Sequence, residues 1–476
     1  MGNSCGGMNE YTALEDKYPM YQGGFIWDYV DQALRVKGPN GQERLAYGGD
    51  FGDKPTDWQF NTNGIILGDR SFTGKCQEVR HQFRDVFLKV GKTGVTVWNR
   101  KVFAPLTGYS LRWTVECDMK PVKAGEVILP EIAAGESKHV NLPYGKLPME
   151  GQVVLTVFLV LAEDKGILPA GTVLSHGQMV YGEKTKAEAS EGIAKVTVCD
   201  NNIGIRGKGL GALLEKRGGI ISFRDKAGKE CVLRAPQLSL FRAQTDNDRG
   251  NHTSVRQGIY HMISRYSWQH EVKVDKNEEG FTTLTYGFSN MLLKDFEMTV
   301  VYTIRRDDEI DVTVNWPGVA DLPDMPALGL SFQLYPRLDT VNYYGMGPDE
   351  NYIDRCQGAY LGWHAYKVED GMTRYCKPQE SGSRTGVQSF AVTDKDHHGL
   401  LITGENLEIS CTPWTVEEMQ GAYHPSDLMG SVRTVLDVAM FRKGVGGDDS
   451  WGAPVLPQYC YPADKPYSFT FTMKAL

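Results

Sequence analysis

The sequence predicts a mainly β protein that opens with a short α/β segment, on three observations. Apolar residues recur at every second position along most of the chain, 53 glycines and 22 prolines punctuate those runs, and only the first 75 residues break the pattern. Period two puts alternate side chains on opposite faces, which is the mark of half-buried strands in antiparallel sheets. In order, Met8 to Leu14 has helical spacing and ends before Pro19, and Gly23-Gly24-Phe25-Ile26-Trp27-Asp28-Tyr29-Val30 reads as a buried strand. Helix then strand belongs to an α/β unit.

Beyond about residue 85 strands dominate. Leu111, Trp113 and Val115 alternate with polar neighbours, as do Ile310, Val312, Val314 and Trp316, and Tyr467, Phe469, Phe471 and Met473. Val153 to Leu161 is continuously apolar, which predicts a strand covered on both faces. A charged cluster over Lys75 to Asp85 and a linker-like run, Glu183-Lys184-Thr185-Lys186-Ala187-Glu188-Ala189, place domain boundaries near 86 and 190. Three domains are expected, 1–86, 87–190 and 191–476, since 476 residues exceed what one core supports.

Composition excludes several classes of function. Hydrophobic residues at 41% and charged residues at 23% are ordinary for a soluble globular protein, and no apolar run approaches the roughly 20 residues of a membrane helix. A formal charge of −8 without a basic cluster argues against nucleic acid or an anionic membrane as partner and favours a neutral substrate. Nine scattered cysteines, with no Cys-x-x-Cys, read as reduced thiols rather than a disulfide framework or a zinc site. Met1 to Gly7 is neither basic nor apolar, so no signal peptide is read there and a cytoplasmic location is expected.

Each motif has a competing structural reading. Gly2-Asn3-Ser4-Cys5-Gly6 fits Gly-x-Ser-x-Gly but lacks the strand that must lead into a nucleophile elbow. Asp28 and Asp31 offer two carboxylates, yet residues three apart on a strand face opposite ways, so structural acceptors are the simpler reading. His397-His398 lies in a solvated Lys-Asp turn rather than a metal site. Asp246-Asn247-Asp248-Arg249-Gly250 lacks calcium-loop spacing and reads as a polar turn. Trp27 and Trp451 stand beside small residues and carboxylates; a sugar has one apolar face and a rim of hydroxyls, which such a setting suits, although either ring alone also reads as core.

Several collinear segments resemble bacterial β-galactosidases of glycoside hydrolase family 2. They are Met1-Gly2-Asn3-Ser4, Gly23 to Gln32, Ala46-Tyr47-Gly48-Gly49-Asp50-Phe51-Gly52-Asp53, Asn63-Gly64 with Asp69-Arg70, Thr245 to Asp248, Gly345 to Tyr352 with Asp354-Arg355, and Gly446-Gly447-Asp448-Asp449-Ser450-Trp451. The resemblance spans nearly the whole chain. It implies the carboxyl-terminal remnant of a (β/α)8 barrel, then an immunoglobulin-like β-sandwich, then a large galactose-mutarotase-like β-sandwich. It further implies Trp27 as platform under a galactose ring, Asn63 on the sugar 6-hydroxyl and a sodium ion, and the Phe60 carbonyl as a second ligand of that partial sodium site. Trp451 would stack on the second sugar of a lactose-like galactoside, and Gly250 would hinge a loop near the site.

The same resemblance places the acid/base Glu, the nucleophile Glu and the magnesium ligands before Met1. The chain is therefore expected to be the carboxyl-terminal part of a retaining β-galactosidase, with no catalytic carboxylate of its own and no turnover alone, because retaining hydrolysis needs two carboxylates about 5 Å apart. Expected partners are a β-galactoside or galactose, the missing amino-terminal part of the same enzyme, and further copies in a homo-oligomer. The alternatives are a stand-alone carbohydrate-binding β-sandwich without hydrolysis and a structural module for oligomer assembly.

Overall fold

Two compact units divide the chain: one joins Met1–Val79, Ala189–Ala359 and Trp363–Leu476, and the other joins Arg80–Glu188 with Tyr360–Gly362. The structure, a computed structural model, describes residues 2–38, 41–185, 192–428, 430–449 and 451–476. The end of the linker-like run, 186–189, lies outside the described residues.

The smaller unit is an antiparallel sandwich. One sheet pairs Val86–Gly91, Gly94–Asn99 and Ser137–Asn141 in that order; the other runs Lys120–Ile128, Tyr109–Cys117, Val153–Leu161, Val173–Tyr181. Its core follows the alternation, with Leu111, Trp113 and Val115 buried against Val95, Val97, Leu155, Val157 and Leu159. Val153–Leu161 has ladder partners on both sides and is buried almost throughout, as its unbroken apolar run predicts.

In the larger unit a long sheet runs Val232–Ser239, Ala327–Leu334, Thr434–Arg442, Gly399–Thr412, Tyr467–Ala475, Glu309–Trp316, Leu293–Ile304, Thr282–Asn290. A four-stranded sheet from Lys195–Val198 to Gly219–Arg224 shares its core, so Ile203, Leu214 and Phe223 pack with Tyr286, Val300 and Val312. The helix Thr253–Tyr266 inserts Tyr260 and Ile263 into the same core. The indole N–H of Trp316 donates to the Ala463 carbonyl at 2.8 Å, which satisfies the one polar atom of that buried ring.

The amino-terminal 79 residues depart from expectation at one point. The helix forms, over Met8–Lys17, and a hairpin joins Leu34–Lys37 to Glu43–Ala46. Residues 23–30 do not form the buried strand that their apolar character predicts: Phe25 and Trp27 are exposed, and the run meets the isolated parallel bridge Val30 to Ile66 only at its end. A parallel strand is buried when neighbours and covering helices take both of its edges and faces. Among the described residues, the backbone bonds of this run go to one side, to residues 63–66.

Two motif readings also resolve. Asp246–Gly250 is a short helix rather than a turn, because Thr245 and Asp248 form a reciprocal capping box: the Thr245 hydroxyl accepts from Asp248 N at 3.1 Å and the Asp248 carboxylate accepts from Thr245 N at 3.2 Å. His397 and His398 do close a turn, in which Asp394 Oδ1 accepts from the backbone N–H of Asp396 and of His398.

Candidate functional site

The site region rests on two chain segments laid side by side. Asp28 N donates to Asn63 O at 2.8 Å, Ile65 N to Asp28 O at 2.9 Å, Ile66 N to Tyr29 O at 3.0 Å and Asp31 N to Ile66 O at 3.0 Å. Gly64 is at their closest approach, where a Cβ would lie 2.0 Å from Asp31 N, so only glycine fits. Asp31 Oδ1 accepts from Gly64 N at 2.6 Å, and the buried Lys75 ammonium donates to the Gly64 carbonyl. Burial pushes the Asp31 carboxyl up and the Lys75 amine down, and each opposes the other's shift as an opposite charge. Asp31 thus serves as a structural acceptor that braces this turn.

Asn63 sits on the braced turn with its carbonyl taken by Asp28 N. Its side-chain Oδ1 is buried and has no hydrogen-bond partner among the described residues. A buried acceptor left unsatisfied costs about 1–3 kcal/mol, so this atom suits a donor or a cation. Just before it, the 3-10 helix Trp58–Asn61 carries Phe60, whose ring lies 5.2 Å from that of Trp451 at an interplanar angle of 53°.

Trp451 comes from a loop that is fastened at both ends. Asp449 Oδ1 accepts from the backbone N–H of Trp451, Gly452 and Ala453 at 2.8, 3.2 and 3.1 Å. Upstream, the buried Asp354 carboxylate accepts from Val445 N and Gly446 N at 3.0 and 2.8 Å, and Gly6 N donates to Gly446 O at 2.8 Å. The Tyr11 hydroxyl donates to Asp448, which lifts its pKa to about 12. Gly250 ends the Asp246–Gly250 helix, and the next residue, Asn251, donates from its side chain to Ala453 O at 3.4 Å.

Trp27 and Trp451 are 77% and 74% exposed, so neither indole belongs to a hydrophobic interior. Trp451 meets the 60–63 turn through the Phe60 ring, and Trp27 stands one residue before Asp28, whose N–H donates to Asn63 O. Ser4 is buried, with its carbonyl accepting from Arg355 at 2.9 Å. Asp28 Oδ1 accepts from its own neighbour, Tyr29 N.

The supports of this region include residues whose role local patterns do not show. Arg355 donates to Asn3 Oδ1 at 2.6 Å and pairs with Glu350 at 3.3 Å; Glu350 also accepts from Tyr375, Thr373 and Ser381 at 2.8, 3.0 and 2.9 Å. Burial alone would raise the Glu350 carboxyl, but Arg355 and the Gly382 N–H outweigh it and hold the carboxyl below its ordinary range. Arg242 grips Asp248 with two bonds of 3.0 Å each. Among the described residues no group of three or more His, Cys, Asp or Glu is placed to hold a metal ion, and no helix is long and apolar enough to cross a membrane.

Comparison with known proteins gives three matched stretches. Residues 206–473 match the family described as the β-galactosidase small chain, residues 1–88 the family 2 glycosyl hydrolase TIM-barrel domain, and residues 95–181 β-galactosidase domain 4. A β-galactosidase of Halalkalibacterium halodurans is 36% identical over 99% of this chain and 47% of its own length. One of Streptococcus thermophilus is 34% identical over 100% and 46%, and one of Clostridium acetobutylicum 41% over 76% and 40%. The chain thus spans about half the length of the curated relatives it matches. A galactose mutarotase-like protein from Lactobacillus casei aligns with 60% of this chain and 100% of its own at TM-score 0.31 and 13% identity.

Proposed function

This chain belongs to the β-galactosidases of glycoside hydrolase family 2, and from that membership we propose that it is the carboxyl-terminal portion of a retaining β-galactosidase acting on lactose-like β-D-galactosides. In this reading it supplies the binding half of the pocket, while a segment upstream of Met1 supplies the acid/base and nucleophile carboxylates. The observation that carries the reading is the juxtaposition at one turn of Asn63 Oδ1, which has no partner among the described residues, the Phe60 ring and the exposed indole of Trp451, with Trp27 on the adjoining segment.

Each residue then has a task. Trp27 lies flat against the apolar face of galactose, and Trp451, backed by Phe60, stacks on the second sugar. The Asn63 Oδ1 accepts from the 6-hydroxyl and, with the Phe60 carbonyl, holds a sodium ion; the orphaned buried oxygen fits such a role. Sodium, when bound, supplies a fixed positive charge that orients that hydroxyl. The magnesium ligands are assigned to the upstream segment. Gly250, joined through Asn251 to the Trp451 loop, is the hinge of a closing loop.

Calorimetry with lactose and galactose, with and without sodium, tests the binding role. Millimolar or tighter binding that is lost in Trp451→Ala supports it, and heat unchanged by that substitution overturns it. A chromogenic galactoside tests the division of labour: this chain alone gives no turnover, and mixing with the upstream segment restores it. Hydrolysis by the purified 476-residue chain would overturn that division.

A further inference from the structure

The helix that carries Phe60 also carries one ring of a second exposed pair. Trp58, at its first position, is 55% exposed, and its ring centroid lies 6.3 Å from that of Tyr423, 56% exposed, at an angle of 37°. Burial does not explain why Trp58 is where it is. Its backbone has φ 53°, in the left-handed region that bulky residues avoid, and exposed surface returns little in exchange for that strain.

The chain nevertheless fixes the ring firmly. Trp58 N donates to Thr56 Oγ1 at 3.1 Å, and Trp58 O accepts from Gly48 N at 3.1 Å. The ring rests on Gly49, where a Cβ would come within 3.5 Å of it and where φ is +92°. Gly49 is itself held by the Asp53 carboxylate, at 2.9 and 3.0 Å from its N–H. Tyr423 is equally fixed: its N–H donates to Asp427 at 3.0 Å, its carbonyl accepts from the Tyr47 hydroxyl, and the Lys377 ammonium covers one face at 4.2 Å from the centroid. Lys377 donates to Ala422 O at 3.4 Å, and an ammonium has three donors, which leaves donors for a ligand.

We propose that Trp58 and Tyr423, with Lys377, form a distal carbohydrate subsite that takes the outer units of a galactose-terminated oligosaccharide longer than a disaccharide. Two fixed aromatic rings beside a multi-donor ammonium match a sugar's apolar face and hydroxyl rim. Continuity with the proposed disaccharide site selects this occupant: Trp58 and Phe60, the latter in ring contact with Trp451, share one 3-10 helix two residues apart, so both platforms are carried by one element. The inference rests on the sugar-binding reading given above.

Calorimetry on the full chain separates the two. The wild type is expected to bind a linear β-galactotetraose about tenfold more tightly than lactose. Trp58→Ala and Tyr423→Ala should each erase that gap while leaving lactose affinity and the melting temperature unchanged, and Trp58→Phe, which keeps a ring, should retain most of it. Equal affinity of the wild type for both sugars, a gap that survives both alanine variants, or an equal loss for both sugars in Trp58→Ala overturns the distal subsite and leaves the primary reading standing. If the wild type binds neither sugar, the primary reading falls and this inference with it.

Discussion

Val153–Leu161 and Gly23–Val30 are both runs of mostly apolar residues, and pattern alone reads both as buried strands. The first lies between two antiparallel partners and is buried almost end to end; the second has backbone bonds on one side only, and Phe25 at 104% and Trp27 at 77% exposure face outward. The difference teaches that hydrophobicity sets a demand for neighbours, and that the fold must supply them from elsewhere. What fastens the second run is a set of directed polar bonds: Asp31 to Gly64, Lys75 to Gly64 and Asp28 to Asn63. The small sandwich is held by apolar packing, the amino-terminal segment by hydrogen bonds and buried charge.

The sharpest way to break that contrast is to remove a buried charge that fastens the amino-terminal segment to the rest of the larger unit. Arg355→Ala leaves Glu350 buried without its counterion and Asn3 Oδ1 and the Ser4 carbonyl without a donor. The expected loss is about 3–5 kcal/mol from the larger unit, read as a lower urea midpoint for that transition. Retention of the wild-type midpoint would show that the amino-terminal segment is held by something else. Next in size is Leu155→Ala in the small sandwich, where a fully buried side chain leaves a cavity and costs about 2–5 kcal/mol. Its transition alone should shift.

How much was readable in advance follows the same division. Strand alternation and the Met8–Lys17 helix depend on local periodicity, and both stand in the structure. The Asp246–Gly250 helix is also legible, because Thr245 and Asp248 have capping-box spacing, although its acidic composition alone reads as a polar turn. Residues 23–30 read as a buried strand by pattern alone, while a barrel remnant, as the resemblance implies, leaves Phe25, Ile26 and Val30 without neighbouring strands, and the exposure of Phe25 and Trp27 agrees with the second reading. At the candidate site, Trp27 and Trp451 stand out by type and setting. The Arg355 to Asn3 bond joins positions 352 residues apart and the Asn3 to Glu380 bond 377, and no local pattern encodes either.

A smaller effect sharpens the contrast through pH. Glu380 is buried beside Arg442 at 3.6 Å, yet burial outweighs that charge and raises its pKa to about 7 from 4.5. The native state therefore keeps a proton that the unfolded state has released, so the contribution of Glu380 to stability is fully present below pH 4.5 and is lost as pH rises toward 7. Summed over that window the contribution is at most roughly 3 kcal/mol. Glu380→Gln should flatten this part of the profile for the larger unit, measured by urea unfolding across pH 4.5 to 8. An unchanged slope would place the titration on other groups.

The smallest effect on stability is expected at Phe25, and it decides the comparison most directly. If residues 23–30 were held by apolar burial, Phe25→Ser would cost several kcal/mol, as a polar residue in the middle of Val153–Leu161 would. With the side chain fully exposed, the folded state loses no packing, so the unfolding free energy from urea titration should stay within about 0.5 kcal/mol of wild type. Solubility should respond instead: Phe25, Trp27 and Tyr29 place three exposed rings on a run with one open edge, a surface that invites association. Light scattering on heating should therefore begin at a higher temperature in Phe25→Ser than in wild type, while unfolding is unmoved. A fall in the unfolding midpoint would mean that this run is packed after all, and that the two apolar stretches differ in degree and not in kind.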